Sequence, residues 1–255
     1  MPSPGRPQNK MAQFHMEIAG HVACVDSLFD STPAYFRAYL TEKEPDFFIT
    51  VRPSDLEFEQ ADALEEAHRE GFRPRVFTDP FLERAAIQRR FAEHLFDHDT
   101  LLFHGSVIAV DGNGYLFAAK SGTGKSTHTR LWREYFGNRA IMVNDDKPFL
   151  KIQPHGVWVC GSPWSGKHGL DTNITIPLKG ICILERGAEN RIRPMDASAA
   201  MPRLLHEGYC PLDPGKEEAF RSLVSRLADS VPLWHMECNK NADAATTAYE
   251  AMSGI

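Results

Sequence analysis

A glycine-rich segment at residues 119–126 has the residue types that bind phosphate. It reads Ala-Lys-Ser-Gly-Thr-Gly-Lys-Ser and fits the pattern G-x-x-x-x-G-K-[ST], except that Ala119 replaces the first glycine. Gly122 and Gly124 give the backbone the freedom to turn successive N–H groups toward phosphate oxygens. An apolar run precedes the segment and a helix is predicted after it. The positive end of that helix dipole would attract a phosphate group. We therefore predict a phosphate-binding loop.

Two side chains at the end of this loop carry its predicted chemistry. Lys125 is expected to hold the β- and γ-phosphates of a nucleotide as a point charge, and the Ser126 hydroxyl is expected to bind Mg²⁺. The residues predicted to contact the nucleotide are Ser121, Gly122, Thr123, Gly124, Lys125, Ser126 and Thr127. The alternative is a glycine-rich turn before a helix that binds nothing.

Two carboxylates end the next apolar run, in which residues 141–146 read Ile-Met-Val-Asn-Asp-Asp. One of Asp145 and Asp146 can orient Mg²⁺, directly or through water, and the other can accept a proton from an attacking hydroxyl. Adjacent residues on a strand point to opposite sides, so both can face one ion only if the backbone is irregular there. The alternative is a polar strand end before Pro148.

Two other places supply candidate side chains. His104 lies in Phe-His-Gly-Ser on the strand before the loop strand, where a lone histidine is more often a structural residue. Residues 161–173 are rich in glycine and proline and predict a loop, in which Lys167 can stabilise transferring charge or bind a substrate carboxylate. The candidate substrate contacts are Trp164, His168, Asn173 and Arg130. The alternative for them is a surface turn and a solvated helix face.

The pattern around these residues predicts a mixed α/β fold. Residues 101–119 read as a β-hairpin with a turn at residues 111–114, and a helix follows over 125–135. An amphipathic helix is predicted over 81–96, and residues 57–70 read as a surface loop or solvated helix. Further strands are predicted at 13–25, 47–52, 139–143, 148–152, 156–160, 176–185 and 232–238, and helices at 196–206, 215–228 and 241–253. Hairpins beside the loop distinguish this fold from a strictly alternating βαβ fold.

Length and composition limit the classes of protein. We predict two parts, an N-terminal α+β region at 1–98 and a catalytic domain at 99–255. A net charge of −6 argues against nucleic acid as a partner, and no run of about 18 apolar residues predicts a membrane span. Five scattered cysteines indicate neither a disulfide framework nor a structural zinc site. A cytoplasmic location is expected, and the first ten residues read as a loose terminus.

Taken together, three motifs resemble the catalytic domain of HPr kinase/phosphorylase and, more distantly, ATP-dependent phosphoenolpyruvate carboxykinase. They occur in the family's order: His104-Gly105 on a strand, the loop from Ser121 to Ser126, and the pair Asp145-Asp146. The resemblance covers residues 100–185. It implies a mixed sheet with the loop between a strand and a helix, and ATP and Mg²⁺ as cofactors.

The resemblance also implies phosphoryl transfer to a serine-type hydroxyl, with Asp145 beside the metal, Asp146 as the base and His104 beside the reacting phosphate. Residues 161–173 and 1–98 do not match the HPr kinase pattern. The expected acceptor is therefore a small molecule such as a free amino acid, or a peptide, rather than HPr. The alternatives are a nucleotide-binding regulatory module without transfer and a carboxykinase-type lyase. HPr kinases are oligomeric, and a homo-oligomer is left open for this chain.

Overall fold

The computed structural model describes residues 11–254. The first ten residues, where a loose terminus is predicted, lie outside this range, as does Ile255. The chain divides into two compact units between Phe91 and Ala92. This division falls inside a helix, whereas the boundary predicted from sequence near residue 98 lies just beyond the end of that helix.

The first unit holds a three-stranded sheet. Its strands are β1 (Ala12–Ile18), β2 (His21–Ser27) and β3 (Phe47–Thr50), with β2 antiparallel to β1 and parallel to β3. Its helices are α1 (Thr32–Tyr35), α2 (Pro53–Glu70) and the first part of α3 (Asp79–Phe96). The single strand predicted over 13–25 is wrong, because Ala19 and Gly20 both adopt positive φ and turn the chain back into a hairpin.

Helix α2 resolves the choice that the sequence left open for residues 57–70. At its start the Arg52 N–H donates to the Asp55 Oδ2 at 2.8 Å, and at its end Gly71 adopts the left-handed conformation at φ 70°. Most residues of the helix are exposed, which agrees with the polar composition that left the choice open.

The second unit contains a mixed sheet whose strand order, in the part of the chain that the structure describes, is β4-β8-β9-β10-β6-β5-β7, with β12 beside β10 and β11 beside β12. The strands are β4 (Thr100–Leu102), β5 (Ser106–Val110), β6 (Asn113–Ala118), β7 (Ala140–Asn144), β8 (Phe149–Gln153), β9 (Gly156–Cys160), β10 (Thr175–Arg186), β11 (Arg191–Pro194) and β12 (Leu233–Cys238). Strand β10 runs parallel to β6 and β12, and the other neighbours are antiparallel. The predicted mixed α/β class is confirmed.

Helices cover both faces of this sheet. They are α4 (Lys125–Phe136), α5 (Ala197–Glu207), α6 (Glu217–Ser230) and α7 (Asp243–Ser253). Alternate residues of each strand enter different cores, as the period of two requires. In β6, Leu116 and Ala118 pack with α5 and α6, while Tyr115 and Phe117 pack with α4 and α7. Among the described helices, none is both long and apolar enough to cross a bilayer.

The strand predicted through residues 101–110 is interrupted at 103–105, between β4 and β5. There the backbone bonds to two other segments instead of continuing one ladder. The His104 N–H donates to the Glu207 carbonyl at 2.8 Å, and the Gly105 N–H donates to the Asp146 carbonyl at 2.9 Å. The interruption therefore brings a histidine next to an aspartate that is far away in sequence. The short polar strand β11 was not predicted.

Candidate functional site

The glycine loop connects β6 to α4 through two glycines with unusual backbone angles, and its Thr123 N–H donates back to the Lys120 carbonyl at 3.0 Å. Gly122 has φ 75° and Gly124 has φ 128°, values that side-chain-bearing residues rarely adopt. Gly124 is the N-cap of α4, and the first helical bond runs from the His128 N–H to the Gly124 carbonyl at 2.9 Å. The N–H groups before His128 have no partner within the helix and lie at its positive end.

Arg186 fixes the other side of the loop. Because β10 runs parallel to β6, both strands end at the same edge of the sheet, and the last residue of β10 reaches the loop. Its guanidinium donates to the Gly122 carbonyl at 2.5 Å and to the Thr123 carbonyl at 3.5 Å. A trans peptide holds its C=O and N–H on opposite sides, so carbonyls that face Arg186 turn the amides of the same peptides away from it.

Lys125, at the start of α4, is a cation with little hydration. Its Nζ donates to the Ala119 carbonyl at 3.0 Å. Burial lowers the pKa of Lys125, while the nearby carboxylates of Glu207 and Asp146 act in the opposite direction. A poorly hydrated ammonium group interacts more strongly with an incoming anion than an exposed one does.

The two carboxylates that follow β7 are presented by a turn built on Asn144. This side chain is fully buried, and its Oδ1 accepts from the N–H groups of Asp146 at 2.7 Å and Lys147 at 2.6 Å. Its Nδ2 donates to the Ser162 carbonyl at 2.8 Å. The strand ends at Asn144, so Asp145 and Asp146 are released from strict alternation and line the same cleft. This turn is the irregular backbone that Asp145 and Asp146 need if both are to face one ion.

Asp145 is the more buried of the pair. Its Oδ1 accepts from the Ser106 hydroxyl at 2.7 Å, and that hydroxyl also contacts the Thr129 hydroxyl at 3.1 Å. These bonds fix the carboxylate while it still lines the cleft together with the hydroxyl-bearing Ser126. A carboxylate and a hydroxyl are hard oxygen donors of the kind that Mg²⁺ prefers, so this pair fits a magnesium ion.

Asp146 faces His104, which in turn faces Glu207. The His104 Nε2 lies 3.3 Å from the Asp146 Oδ1, and its Nδ1 lies 2.9 Å from the Glu207 Oε2. Burial alone would raise the pKa of Asp146, but the hydrogen bond from His104 and the charges of Lys147 and Lys125 outweigh it and lower this pKa overall. Asp146 is therefore ionised at neutral pH, the state that a proton acceptor requires.

These groups surround one open cleft of about 490 Å³, called here the Lys125 cleft. Its lining comprises His104, Gly122, Gly124, Lys125, Ser126, Thr127, Asp145, Asp146, Gly166, Lys167 and His168. The structure thus brings together most of the residues that were selected from sequence. Ser121 and Thr123 instead line a neighbouring cleft, together with Lys120 and Arg186.

The loop after β9 forms another wall of the Lys125 cleft. A short 3-10 turn over Gly166–His168 carries the exposed side chains of Lys167 and His168. Gly166 lies so close to Asp146 that a Cβ atom at this position would be 3.2 Å from the Asp146 Cβ. The loop thus packs on the acidic pair and adds positive charge to the opening of the cleft.

Three candidates for substrate contacts lie away from the Lys125 cleft. Trp164 is 7% exposed and packs edge-on against Phe149 with ring centroids 6.4 Å apart, so its expected role as a substrate contact is corrected to a core role. Asn173 is exposed beyond the loop wall. Arg130 points to solvent and pairs with Glu134, one turn further along α4, at 2.5 Å.

Asn144 and Glu207 were not selected as site residues from sequence. Asn144 was named only within the run 141–146, and Glu207 lies just past the helix predicted over 196–206. In the structure Glu207 is the last residue of α5, where a carboxylate is unfavourable next to the negative end of the helix dipole. An acidic residue in such a place signals a partner elsewhere in the fold, and here that partner is His104.

Fold and site together define a mixed α/β domain with a glycine loop between a strand and a helix, facing an acidic pair and a histidine. Residues 86–208, just under half of the chain, match the model of the family described as SynChlorMet cassette protein ScmC. No curated protein matches the chain.

A solved structure of the Hpr(Ser) kinase/phosphatase from Coxiella burnetii is also similar. It shares 11% identity over 60% of this chain and 97% of that chain, with a TM-score of 0.37. The protein in this match belongs to the family whose motifs the sequence resembles, but a likeness of this size defines neither fold nor function.

Proposed function

We propose that this protein is an ATP- and Mg²⁺-dependent kinase that transfers the γ-phosphoryl group to a hydroxyl of a small molecule, such as a free amino acid, or of a peptide. The observation that carries the proposal is the convergence on one cleft of Lys125, Ser126, Asp145, Asp146 and His104. Phosphoryl transfer needs positioning and charge neutralisation more than covalent chemistry by the protein, and these residue types supply both.

The glycine loop would hold the phosphates. The amides at the N-terminus of α4 attract negative oxygens, and Lys125 can exchange its bond to the Ala119 carbonyl for a phosphate oxygen. Ser126 and Asp145 would hold Mg²⁺, which neutralises charge on the phosphates when it is bound. Lys167 and His168 line the cleft as well, where the Lys167 ammonium group can face the transferred group or an acidic part of the acceptor.

Asp146 would receive the proton of the acceptor. The hydroxyl oxygen forms a bond to the γ-phosphorus, the bond from that phosphorus to the β–γ bridging oxygen breaks, ADP departs, and the hydroxyl proton passes to the Asp146 carboxylate. The lowered pKa of Asp146 keeps the carboxylate ionised but also makes it a weaker base. We therefore expect its position, held by His104 and by the Asn144 turn, to matter as much as its basicity.

The test is ADP formation by the purified protein with ATP, Mg²⁺ and a panel of acceptors that includes free serine, free threonine and serine-containing peptides. We expect acceptor-dependent ADP and a phosphorylated product, both lost in excess chelator and in Lys125→Ala. Arg130→Ala, which removes an exposed cation from the same helix, is the matched control and should retain activity.

Other outcomes identify the alternatives. Tight ATP binding without turnover on any acceptor indicates a nucleotide-binding module. Decarboxylation of oxaloacetate in place of transfer to a hydroxyl indicates a carboxykinase-type lyase. Unchanged turnover in Lys125→Ala refutes the phosphate-loop assignment itself.

A further inference from the structure

Glu207 is a buried carboxylate in a position that a helix disfavours. It is the last residue of α5, and its side chain is 1% exposed. Burial alone would raise its pKa, but the hydrogen bond from His104 and its charge, then Arg203 and Lys125, lower this pKa overall. Arg203, one turn earlier, contacts Oε1 at 3.0 Å, and His104 contacts Oε2 at 2.9 Å. Each carboxylate oxygen therefore lies close to a nitrogen of a different side chain, Oε1 to Arg203 and Oε2 to His104.

Glu207 holds His104 at two points. Its carbonyl accepts the His104 N–H at 2.8 Å, and its side chain contacts the Nδ1 of the same residue. The imidazole ring is 29% exposed and could otherwise turn about its side-chain torsions. A fixed contact at Nδ1 directs Nε2 toward Asp146, where it lies 3.3 Å from Oδ1.

His104 in turn occupies one oxygen of Asp146. The other oxygen, Oδ2, lies on the side of Gly166, in the wall of the Lys125 cleft. A carboxylate that is held by one oxygen presents the other in a defined direction. The contacts thus form a chain from Arg203 through Glu207 and His104 to Asp146.

We propose that Glu207 is a positioning residue that sets the orientation of the His104 ring and, through it, of the Asp146 carboxylate. This inference rests on the proposed kinase function, because Asp146 is the proton acceptor only in that reaction. Glu207 itself contacts neither nucleotide nor acceptor in the proposed reaction. Its removal should therefore impair turnover without impairing nucleotide binding.

The kinetic test is a double-mutant cycle with Glu207→Gln and His104→Gln. Glu207→Gln should lower kcat about 100-fold, the loss expected when a reacting group is displaced by about 1 Å. KM for ATP should not rise, because the change removes a carboxylate near Lys125 and leaves the phosphate-binding cation in place. In the His104→Gln background the same change should alter kcat by less than about twofold, because residues that act through one another are not additive. A purely structural loss would lower kcat by the same factor in both backgrounds, and that result overturns the proposal.

Two variants control for folding. Glu217→Gln removes the carboxylate of another ion pair with four-residue spacing, Glu217 with Arg221, and should leave kcat unchanged. Glu207→Asp retains the charge with a side chain one methylene shorter and should restore part of kcat relative to Glu207→Gln. If Glu207→Gln does not fold, the cycle is completed with Glu207→Asp, and equal losses in both backgrounds again overturn the proposal.

An NMR measurement tests the role of Glu207 independently of the proposed kinase activity. In ¹⁵N-histidine-labelled protein, the His104 ring signals, assigned by their loss in His104→Gln, should shift in Glu207→Gln and not in Glu217→Gln. Unshifted signals overturn the proposal whatever the activity is. If the wild-type protein transfers phosphate to no acceptor, the proposed function fails, while this comparison still decides whether Glu207 holds the ring.

Discussion

Asp145 and Asp146 are neighbours in sequence, but their surroundings differ. Asp145 is fixed by the Ser106 hydroxyl, and Asp146 is fixed by His104. The first arrangement suits a carboxylate that stays ionised beside a metal, and the second suits one that accepts a proton. The sequence left the two roles open, and these contacts support the assignment of the base to Asp146.

We expect Asp146→Asn to lower phosphoryl transfer by about 10²–10⁴-fold, the usual size of general-base help, with ATP affinity nearly unchanged. Asp145→Asn should damage both, because a metal ligand supports nucleotide binding as well as charge neutralisation. Paired binding and turnover assays compare the two variants. A reversed pattern means that the roles are exchanged, and two variants with wild-type turnover would make the pair structural.

Asn144 should matter although it does not line the Lys125 cleft. Its buried side chain bonds to Asp146, Lys147 and Ser162, and leaving buried partners unsatisfied costs about 1–3 kcal/mol for each group. Asn144→Ala should therefore lower the free energy of unfolding by on the order of 3 kcal/mol. It should also lower transfer at temperatures where circular dichroism shows a folded protein.

Asn113→Ala is the control, since its side chain makes one local bond, to the Asp111 carbonyl at 3.3 Å. Both the stability and the turnover of this variant should stay near wild type. Wild-type stability and turnover in Asn144→Ala would show that the turn holds its shape without this side chain.

The loop after β9 approaches Asp146 most closely at Gly166, a residue without a side chain. Gly166 and Gly169 both have positive φ, 69° and 59°, but only Gly166 has neighbouring atoms within 4 Å of an added Cβ. Alanine at either position should cost about 1 kcal/mol of stability because of backbone strain. Only Gly166→Ala should also displace Asp146 and lower transfer, by about tenfold.

Thermal unfolding and turnover of the two alanine variants separate strain from crowding. Equal turnover in Gly166→Ala and Gly169→Ala would mean that the loop moves away from Asp146 without consequence for the reaction.

Elements that depend on local sequence patterns could be predicted, whereas features that depend on long-range contacts could not. The hairpin, the glycine loop, α4 and α7 follow from periodicity and turn residues, which are local properties. The interruption at residues 103–105 could not be predicted, because it exists only where the distant segments at Asp146 and Glu207 bond to that backbone. Helix α2 is a different case, because its polar and acidic composition fitted both a surface loop and a solvated helix, and Gly71 marks only where the helix ends.

The sequence predicted the site residues that belong to motifs. It did not predict the residues whose side chains fix the positions of those site residues. Lys125 and Ser126 belong to a pattern with a fixed spacing, whereas Glu207 is related to His104 only through the fold. Trp164 shows the converse error, since its loop composition suggested a ligand contact and the packing with Phe149 buries it.

Stability of the second unit should depend on pH through His128. This histidine of α4 stacks edge-on against Phe117, and its Nε2 accepts from the Trp132 ring N–H at 3.1 Å. Burial lowers the pKa of His128 to about 4, against an ordinary value of 6.5. Between these values the unfolded chain binds a proton that the folded chain does not. Stability from this group therefore falls as pH drops from 6.5 to 4, by about 3 kcal/mol.

Urea unfolding in metal-free buffer measures this effect. The four tryptophans, at positions 132, 158, 164 and 234, all lie in the second unit, so their fluorescence reports on it alone. His128→Gln should give a shallower loss of stability between pH 6.5 and pH 4 than the wild type. Parallel curves would mean that other groups account for the dependence.

The backbone bond between His104 and Glu207 determines when, during synthesis of the chain, the site can form. The ribosome finishes the glycine loop about 80 residues before it reaches Glu207, an interval of several seconds at roughly 5–20 residues per second. During that time the segment at residues 103–105 has no α5 to bond with. We expect stalled chains of graded length to transfer phosphate only when they extend past Gly208, so that unfinished chains would not consume ATP.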